Sequence, residues 1–310
     1  MTAVSVVVPT RDKPDSLRLA LACLAVQTCP APMEVVVVDD GSGSDTRDVV
    51  AAATGALPHT LNMRTVPGPL RGRAAARNAG AAASLGDVLL FLDDDVLLPP
   101  TAVRAHLAAQ VRRLDTCVHG PVHDLPGARR LLRAVEVAGA VPADPYGAAT
   151  GGAYGRTVVT ALERFVAETA DGRVPPVAPW LTCVGANTSM PRALWRRAGG
   201  FDESFGTTWG CEDLELGRRL WSLGAGMRLE GAAPGVHLTH ERPDRWQQHA
   251  VNLSRFVAKH PEPAVRALTA LLGPAGTSER YLTALYALES EYGAGTECES
   301  GSDGPASALP

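Results

Sequence analysis

The apolar positions of the first hundred residues fall into short continuous runs separated by stretches of helical spacing. Val4 to Val8 reads as a strand buried on both faces, because its valines run without polar alternation. After Pro9, Leu17, Leu21 and Leu24 recur along one helical stripe. Glu34 to Val38 repeats the strand pattern, ends at Asp39-Asp40 and the Gly41-Ser42-Gly43 turn, and leads into a helix from about Asp45. Leu61 to Val66 predicts a third strand, the Ala-rich Gly72 to Leu85 a helix, and Val88 to Leu92 a fourth strand. This alternation is the signature of βαβ units and a mostly parallel sheet flanked by helices, an α/β fold.

Pro99 and Pro100 suit the first turn of a helix running to about Arg113, after which the pattern loses regularity. Ala143 to Gly155, rich in Gly, Ala, Pro and Tyr, reads as a mobile loop and a candidate lid. A helix over about 157–170 precedes the Pro175-Pro176 break. Thr182 to Met190 reads as extended, Pro191 starts a short helix ending near Gly199-Gly200, and Cys211 to Leu223 carries the stripe Leu216, Leu220, Leu223. Three further helices are predicted at Arg245 to Lys259, Ala264 to Leu272 and Ser278 to Tyr292, and the Gly- and Ser-rich residues 293–310 read as a disordered tail.

Composition narrows the class. The chain has 310 residues, 45% hydrophobic, enough for a large core, and its net charge of -4 argues against an electrostatic nucleic-acid binder. Six cysteines show no CxxC pair and read as reduced thiols. No apolar stretch approaches the roughly 20 residues of a membrane helix, and Met1 to Ala3 lead straight into the first strand without a signal-like segment, so the expected compartment is the cytoplasm.

The chemistry concentrates at the strand ends, where open α/β sheets bind ligands. Pro9-Thr10-Arg11, Asp39-Asp40 and Asp93-Asp94-Asp95 all lie there. Three adjacent carboxylates repel one another and gain nothing from burial, so the triplet calls for a cation or a solvated edge. Arg73 and Arg77 share one helical face, and a guanidinium fork suits diphosphate oxygens or orients the aspartates. Glu212-Asp213 opens a predicted helix, where its dipole favours acidic residues.

Five segments in order, VSVVVPTRD, EVVVVDDGSGSDT, GRAAARNAGAAASLGDVLLFLDDDV, GGFDESF and WGCEDLELGRRL, resemble the family 2 glycosyltransferases of GT-A fold. The resemblance spans about Val4 to Leu220, and the WGCED segment is similar to the WGxED form of galactosyltransferase-related enzymes. It implies an inverting transfer from a nucleotide diphosphate sugar, by family habit a UDP-sugar, to a hydroxyl-bearing acceptor with Mn²⁺ or Mg²⁺. On this resemblance Asp95 and a histidine, His240 rather than His237, are the metal ligands. Pro9, Thr10, Arg11, Asp39 (preferred to Asp40), Arg77, Asp93 and Asp94 bind the nucleotide. Asp213 is the general base; the helix N-terminus should depress its pKa, leaving positioning to supply most of the effect. Asn187, Trp209 and Glu212 bind acceptor or donor sugar, Trp209 having a core role as its alternative.

The implied layout is a GT-A domain over 1–240, its nucleotide-sugar half at about 1–115 and acceptor half at 116–240. A helical extension over 241–292 follows and offers a surface for a homo-oligomer. A nucleotidyltransferase lacks support because Pro9-Thr10-Arg11 stands where a Gly-rich loop would be, and Gly41 to Thr46 lacks the third glycine of a dehydrogenase fingerprint. A catalytically inactive nucleotide-sugar-binding subunit is the competing reading from outside the enzymes.

Overall fold

The computed structural model describes residues 3–56, 61–111, 115–241 and 243–299. Its strands are β1 (Val4–Thr10), β2 (Met33–Asp39), β3 (Leu61–Pro67), β4 (Val88–Leu92), β5 (Val96–Leu97), β6 (Thr116–His119), β7 (Val122–Leu125), β8 (Asn187–Pro191), β9 (Gly226–Leu229) and β10 (Gly235–Leu238). Seven form the central sheet in the order β3-β2-β1-β4-β8-β6-β9. The first four run parallel, β8 is antiparallel to both β4 and β6, and β6 and β9 are parallel again. Every valine of β1 and β2 is buried, which accounts for their unbroken apolar runs.

A small second sheet, β5-β10-β7, stands beside the ends of this one. Its register matters for the site. His237 pairs with Val96 on one side and with Asp124 on the other, and the Leu238 amide donates to the Asp95 carbonyl at 2.8 Å. β7 and β10 thereby deliver Asp124 and His237 to the end of β4.

Helices cover both faces. α1 (Pro14–Ala25), α2 (Ser44–Ala56) and a later helix close one side, with Leu17, Leu21, Val49 and Val50 in its core. α3 (Arg73–Ala83) packs on the other, where Gly80 lies against Val7 and Val38 so closely that a Cβ would clash. In chain order there follow α4 (Ala102–Val111), α5 (Ala128–Ala138), α6 (Pro145–Thr150), α7 (Ala161–Ala170), α8 (Arg192–Arg197) and α9 (Glu212–Ser222). The last four, α10 (Arg245–Lys259), α11 (Pro263–Arg266), α12 (Thr269–Leu272) and α13 (Ser278–Glu299), pack onto α7 and α9. Phe165, Leu214, Phe256, Leu271 and Tyr281 share one core there, so these helices pack against the body of the fold instead of trailing from it.

Several expectations change. The segment predicted as a loop and lid, Ala143 to Gly155, contains α6, capped by Asp144 accepting from the Gly147 amide, and buries Ala149 against α1 on a face away from the site. The helix predicted to end at Tyr292 continues to Glu299, and the tail residues 300–310 lie outside the described residues. The predicted end of α4 at Arg113 also falls outside them, α4 being described to Val111. No helix among the described residues is long and apolar enough to cross a membrane.

Candidate active site

The turn after β4 separates the three aspartates. Asp93 accepts from Arg77 Nη2 at 2.7 Å. Asp94 is buried, accepts from Thr10 Oγ1 at 2.7 Å and lies 3.4 Å from Lys13 Nζ. Burial pushes its carboxyl up to about 6, against the pull of Lys13. Asp95 Oδ2 meets Lys13 Nζ at 2.5 Å, His237 Nε2 at 3.5 Å and His240 Nδ1 at 3.4 Å. Burial works against its charge, but His237 and Lys13 outweigh it and hold this carboxyl well below the usual range. One motif thus holds two oppositely shifted carboxylates.

Both histidines converge on Asp95, so the choice between them made from sequence dissolves. Ligand atoms of Asp95, His237 and His240 lie within 4.8 Å of one another, a carboxylate and two imidazoles that fit a divalent cation. His237 Nδ1 faces Asp124 at 2.8 Å, which fixes the ring and turns Nε2 toward Asp95. Burial disfavours the charged ring, yet Asp95 and Asp124 raise its pKa to about 9. The sequence offered no local signal for Asp124; the β7-β10 register places it.

Arg77 is 2% exposed and clamps Asp93 and Glu212, its Nη1 donating to Glu212 Oε1 at 2.8 Å. Of the two roles open from sequence, orienting carboxylates is the one these contacts show, and Arg77 also lines the cavity beyond. Arg73, one turn earlier, lines both the cavity beyond and the neighbouring groove. Asn187, expected at the sugar, is fully buried instead. Its amide donates to the Gly120 and Ala233 carbonyls and its oxygen faces His106 Nε2, so it ties the strand ends together from behind.

α9 presents the acidic pair from a tight turn. Gly210 has φ 99° and Cys211 φ 70°, a left-handed conformation that strains a non-glycine residue. The turn aims Glu212 and Asp213 inward together. Asp213 Oδ2 accepts from the Gly185 amide at 2.9 Å and Oδ1 from the Leu214 amide at 2.9 Å. These bonds and Arg77 lower its pKa, but burial and the adjacent Glu212 raise it further, to about 6. The expected depression by the helix N-terminus is therefore reversed.

The cavity behind these groups measures about 280 Å³ and is lined by Asp93, Asp95, Trp209, Glu212 and Asp213 among others. Trp209 is only partly buried. The Arg245 guanidinium lies 5.0 Å from its ring centroid and 5.0 Å from that of Trp246, and His249 tilts against Trp209 at 5.5 Å. Lys13, Arg245, Trp246 and His249 escaped the sequence reading, the last three because they come from α10, beyond the family-like segments.

A second groove adjoins it, lined by Pro9, Thr10, Arg11, Asp40 and Gly72. Arg11 is exposed at its mouth and Asp94 forms part of its wall. Asp39, preferred from sequence, ties its own turn by accepting from the Ser42 amide at 2.8 Å. Asp40 is the residue that lines the groove, its Oδ1 accepting from the Leu70 amide at 2.7 Å.

A sequence model of glycosyl transferase family 2 matches residues 5–134, and one described as the N-terminal domain of galactosyltransferase matches residues 174–242. The first match places residues 5–134 in glycosyl transferase family 2. The validoxylamine A glucosyltransferase of Streptomyces hygroscopicus subsp. limoneus is 35% identical over 282 residues, 83% of this chain and 57% of that protein. The chain spans a little over half the length of such curated relatives. Among solved structures, the mannosyltransferase PcManGT from Pyrobaculum calidifontis, in complex with GDP-Man and Mn²⁺, superposes with a TM-score of 0.61 at 18% identity, covering 99% of this chain and 76% of that one. GalNAc-T7 with UDP, GalNAc and Mn²⁺ gives 0.58 at 15% identity, covering 93% and 55%. The fold is GT-A.

Proposed function

We propose that this family 2 glycosyltransferase is an inverting, Mn²⁺-dependent enzyme that moves a hexose from a UDP-sugar to a hydroxyl of a small acceptor. The observation that carries the reading is the convergence, in one cavity, of a carboxylate tuned to about 6 with the Asp95-His237-His240 cluster. A base of that pKa is deprotonated at neutral pH while remaining a better proton acceptor than an ordinary aspartate. Two imidazoles in the donor set favour Mn²⁺ over Mg²⁺, which prefers oxygen ligands and water. UDP and Mn²⁺ accompany GalNAc-T7, and GDP-Man with Mn²⁺ accompanies PcManGT.

In this reading the groove of Pro9, Thr10, Arg11 and Asp40 takes the nucleoside, and the donor sugar projects toward Glu212. Asp213 accepts the proton of the attacking hydroxyl as its oxygen bonds to the anomeric carbon. The bond from that carbon to the phosphate oxygen breaks on the opposite face, its electron pair leaves with the diphosphate, and the configuration inverts. A bound divalent cation would supply Lewis-acid stabilisation of the departing diphosphate. Arg77 keeps Asp93 and Glu212 in place throughout, and the Gly185 amide fixes the direction of the base.

A small acceptor is favoured by the cavity, which is sized for ring-like groups and roofed by α10 and α12, and by the 35% identity to an enzyme named for validoxylamine A. The test is turnover of a UDP-sugar panel with Mn²⁺, followed in Asp213→Asn. Loss of transfer with retained UDP binding supports the proposal. Tight nucleotide binding without turnover on any acceptor favours the inactive subunit.

A further inference from the structure

Glu163 lines the cavity and is not among the residues of the nucleoside groove. The run Thr160-Ala161-Leu162-Glu163 has the form of a capping box, and Thr160 Oγ1 does accept from the Glu163 amide at 3.2 Å. The glutamate does not complete the box by reaching back to the Thr160 amide. Its side chain turns inward, where Oε1 lies 2.9 Å from His119 Nε2.

His119 is fully buried, and its Nδ1 faces the Asn187 carbonyl at 3.2 Å. Each ring nitrogen therefore faces an oxygen, and the pair is anchored to β6 and β8. Glu163 is itself only 5% exposed, yet among the described residues Oε2 has no hydrogen-bond partner. Buried carboxylate oxygens are rarely left so, and an orphan one calls for a missing partner. Glu163 lines the cavity that holds Asp213, Trp209 and Trp246.

The missing partner is a hydrogen-bond donor. A carboxylate repels a diphosphate, and Glu163 has no place in the groove of Pro9 and Asp40. We propose that Glu163 anchors the acceptor: Oε2 accepts from a non-reacting hydroxyl of a sugar- or cyclitol-type ring, which is thereby oriented with another hydroxyl toward Asp213. This assignment rests on the transferase reading above and names the acceptor class for it. His119 is the positioning residue that keeps Glu163 from swinging away.

Glu163→Gln tests it, because the amide keeps volume while presenting a donor where Oε2 was an acceptor. Initial rates are measured with UDP-glucose and Mn²⁺ against a polyol panel including validoxylamine A and methyl β-glucoside, with UDP affinity in Mn²⁺ measured by calorimetry. The expected result is an acceptor KM raised roughly tenfold or more, with UDP affinity within about twofold of wild type. A merely structural pair with His119 would weaken UDP binding and acceptor binding together, and that outcome overturns the assignment, as does an unchanged KM. Should Glu163→Gln not fold, Glu163→Asp withdraws the carboxylate by one methylene and is read by the same two measurements. A wild type that hydrolyses the UDP-sugar but transfers to no polyol overturns the acceptor class alone. A wild type that neither binds UDP nor turns over any UDP-sugar overturns the transferase reading instead.

Discussion

Replacing Arg77 with methionine removes the cation around which the acidic face of the site is assembled. The side chain is 2% exposed, holds Glu212 (6% exposed) at 2.8 Å and Asp93 (27% exposed) at 2.7 Å, and also lowers the pKa of Asp213. Asp93 is open enough to recover hydration, so its lost pair counts for little. Glu212 is not, and stranding one member of a buried pair costs about 3–5 kcal/mol. For a chain of this length roughly 2 °C of Tm accompanies each kcal/mol, giving a fall of about 6–10 °C at pH 8.

The pH dependence has a definite sign. Asp213 already has a folded pKa raised to about 6, above its unfolded value, so its contribution is fully present below the unfolded pKa and is lost as pH rises through the folded one. Without Arg77 that folded pKa moves higher still. The Tm deficit of Arg77→Met should accordingly be smaller at pH 5 than at pH 8, measured by scanning calorimetry in buffers of matched ionic strength. A deficit below about 2 °C at pH 8, or one of equal size at both pH values, would refute the assignment of Arg77 as the counter-charge of the acidic cluster.

The remaining predictions concern chemistry more than folding. Asp213→Asn should lower kcat by about a thousandfold or more while UDP binding persists, and the acid limb of the wild-type kcat profile should fall near pH 6, where Asp213 takes up a proton. His237→Ala should weaken Mn²⁺ binding by calorimetry strongly, and Asp124→Asn, which touches only the far nitrogen of that ring, by about tenfold. Gly185→Ala sets a Cβ 3.0 Å from the Arg77 guanidinium carbon and 3.2 Å from the Asp213 Cβ; kcat should drop more than Tm, whereas an unchanged kcat would show that the base tolerates displacement.

How much of this was legible in the sequence depended on whether a residue's partners were local. β1, β2 and β4 announce themselves because central parallel strands are apolar on both faces, and the ligand-bearing ends follow from where those runs stop. β5, β7 and β10 are strands of two to four residues, too short for any periodicity, and so Asp124 and His237 could not be seen to meet. Asn187 misled because a polar residue just after Gly185-Ala186 resembles a pocket floor. Only the antiparallel pairing of β8 with β4 shows it pointing into the packed layer behind. Asp213 misled in its pKa, since the dipole of its helix was visible and its burial in the folded chain, with the charge of Glu212 beside it, was not.

The order of the strands across the central sheet also dictates an order in time. β8 lies between β4 and β6, yet it follows β4 by roughly ninety residues of chain and comes last of the three off the ribosome. Until it arrives, β4 has an open edge on that side and β6 has no partner toward the first half of the sheet, since β9 is synthesised later still. The nascent chain therefore carries an unpaired, strongly apolar strand edge through the synthesis of α5, α6 and α7, and closing it requires contacts of long sequence separation. Slow elongation across that interval, or a chaperone that shields β4, should decide the yield of soluble protein more than the final stability does.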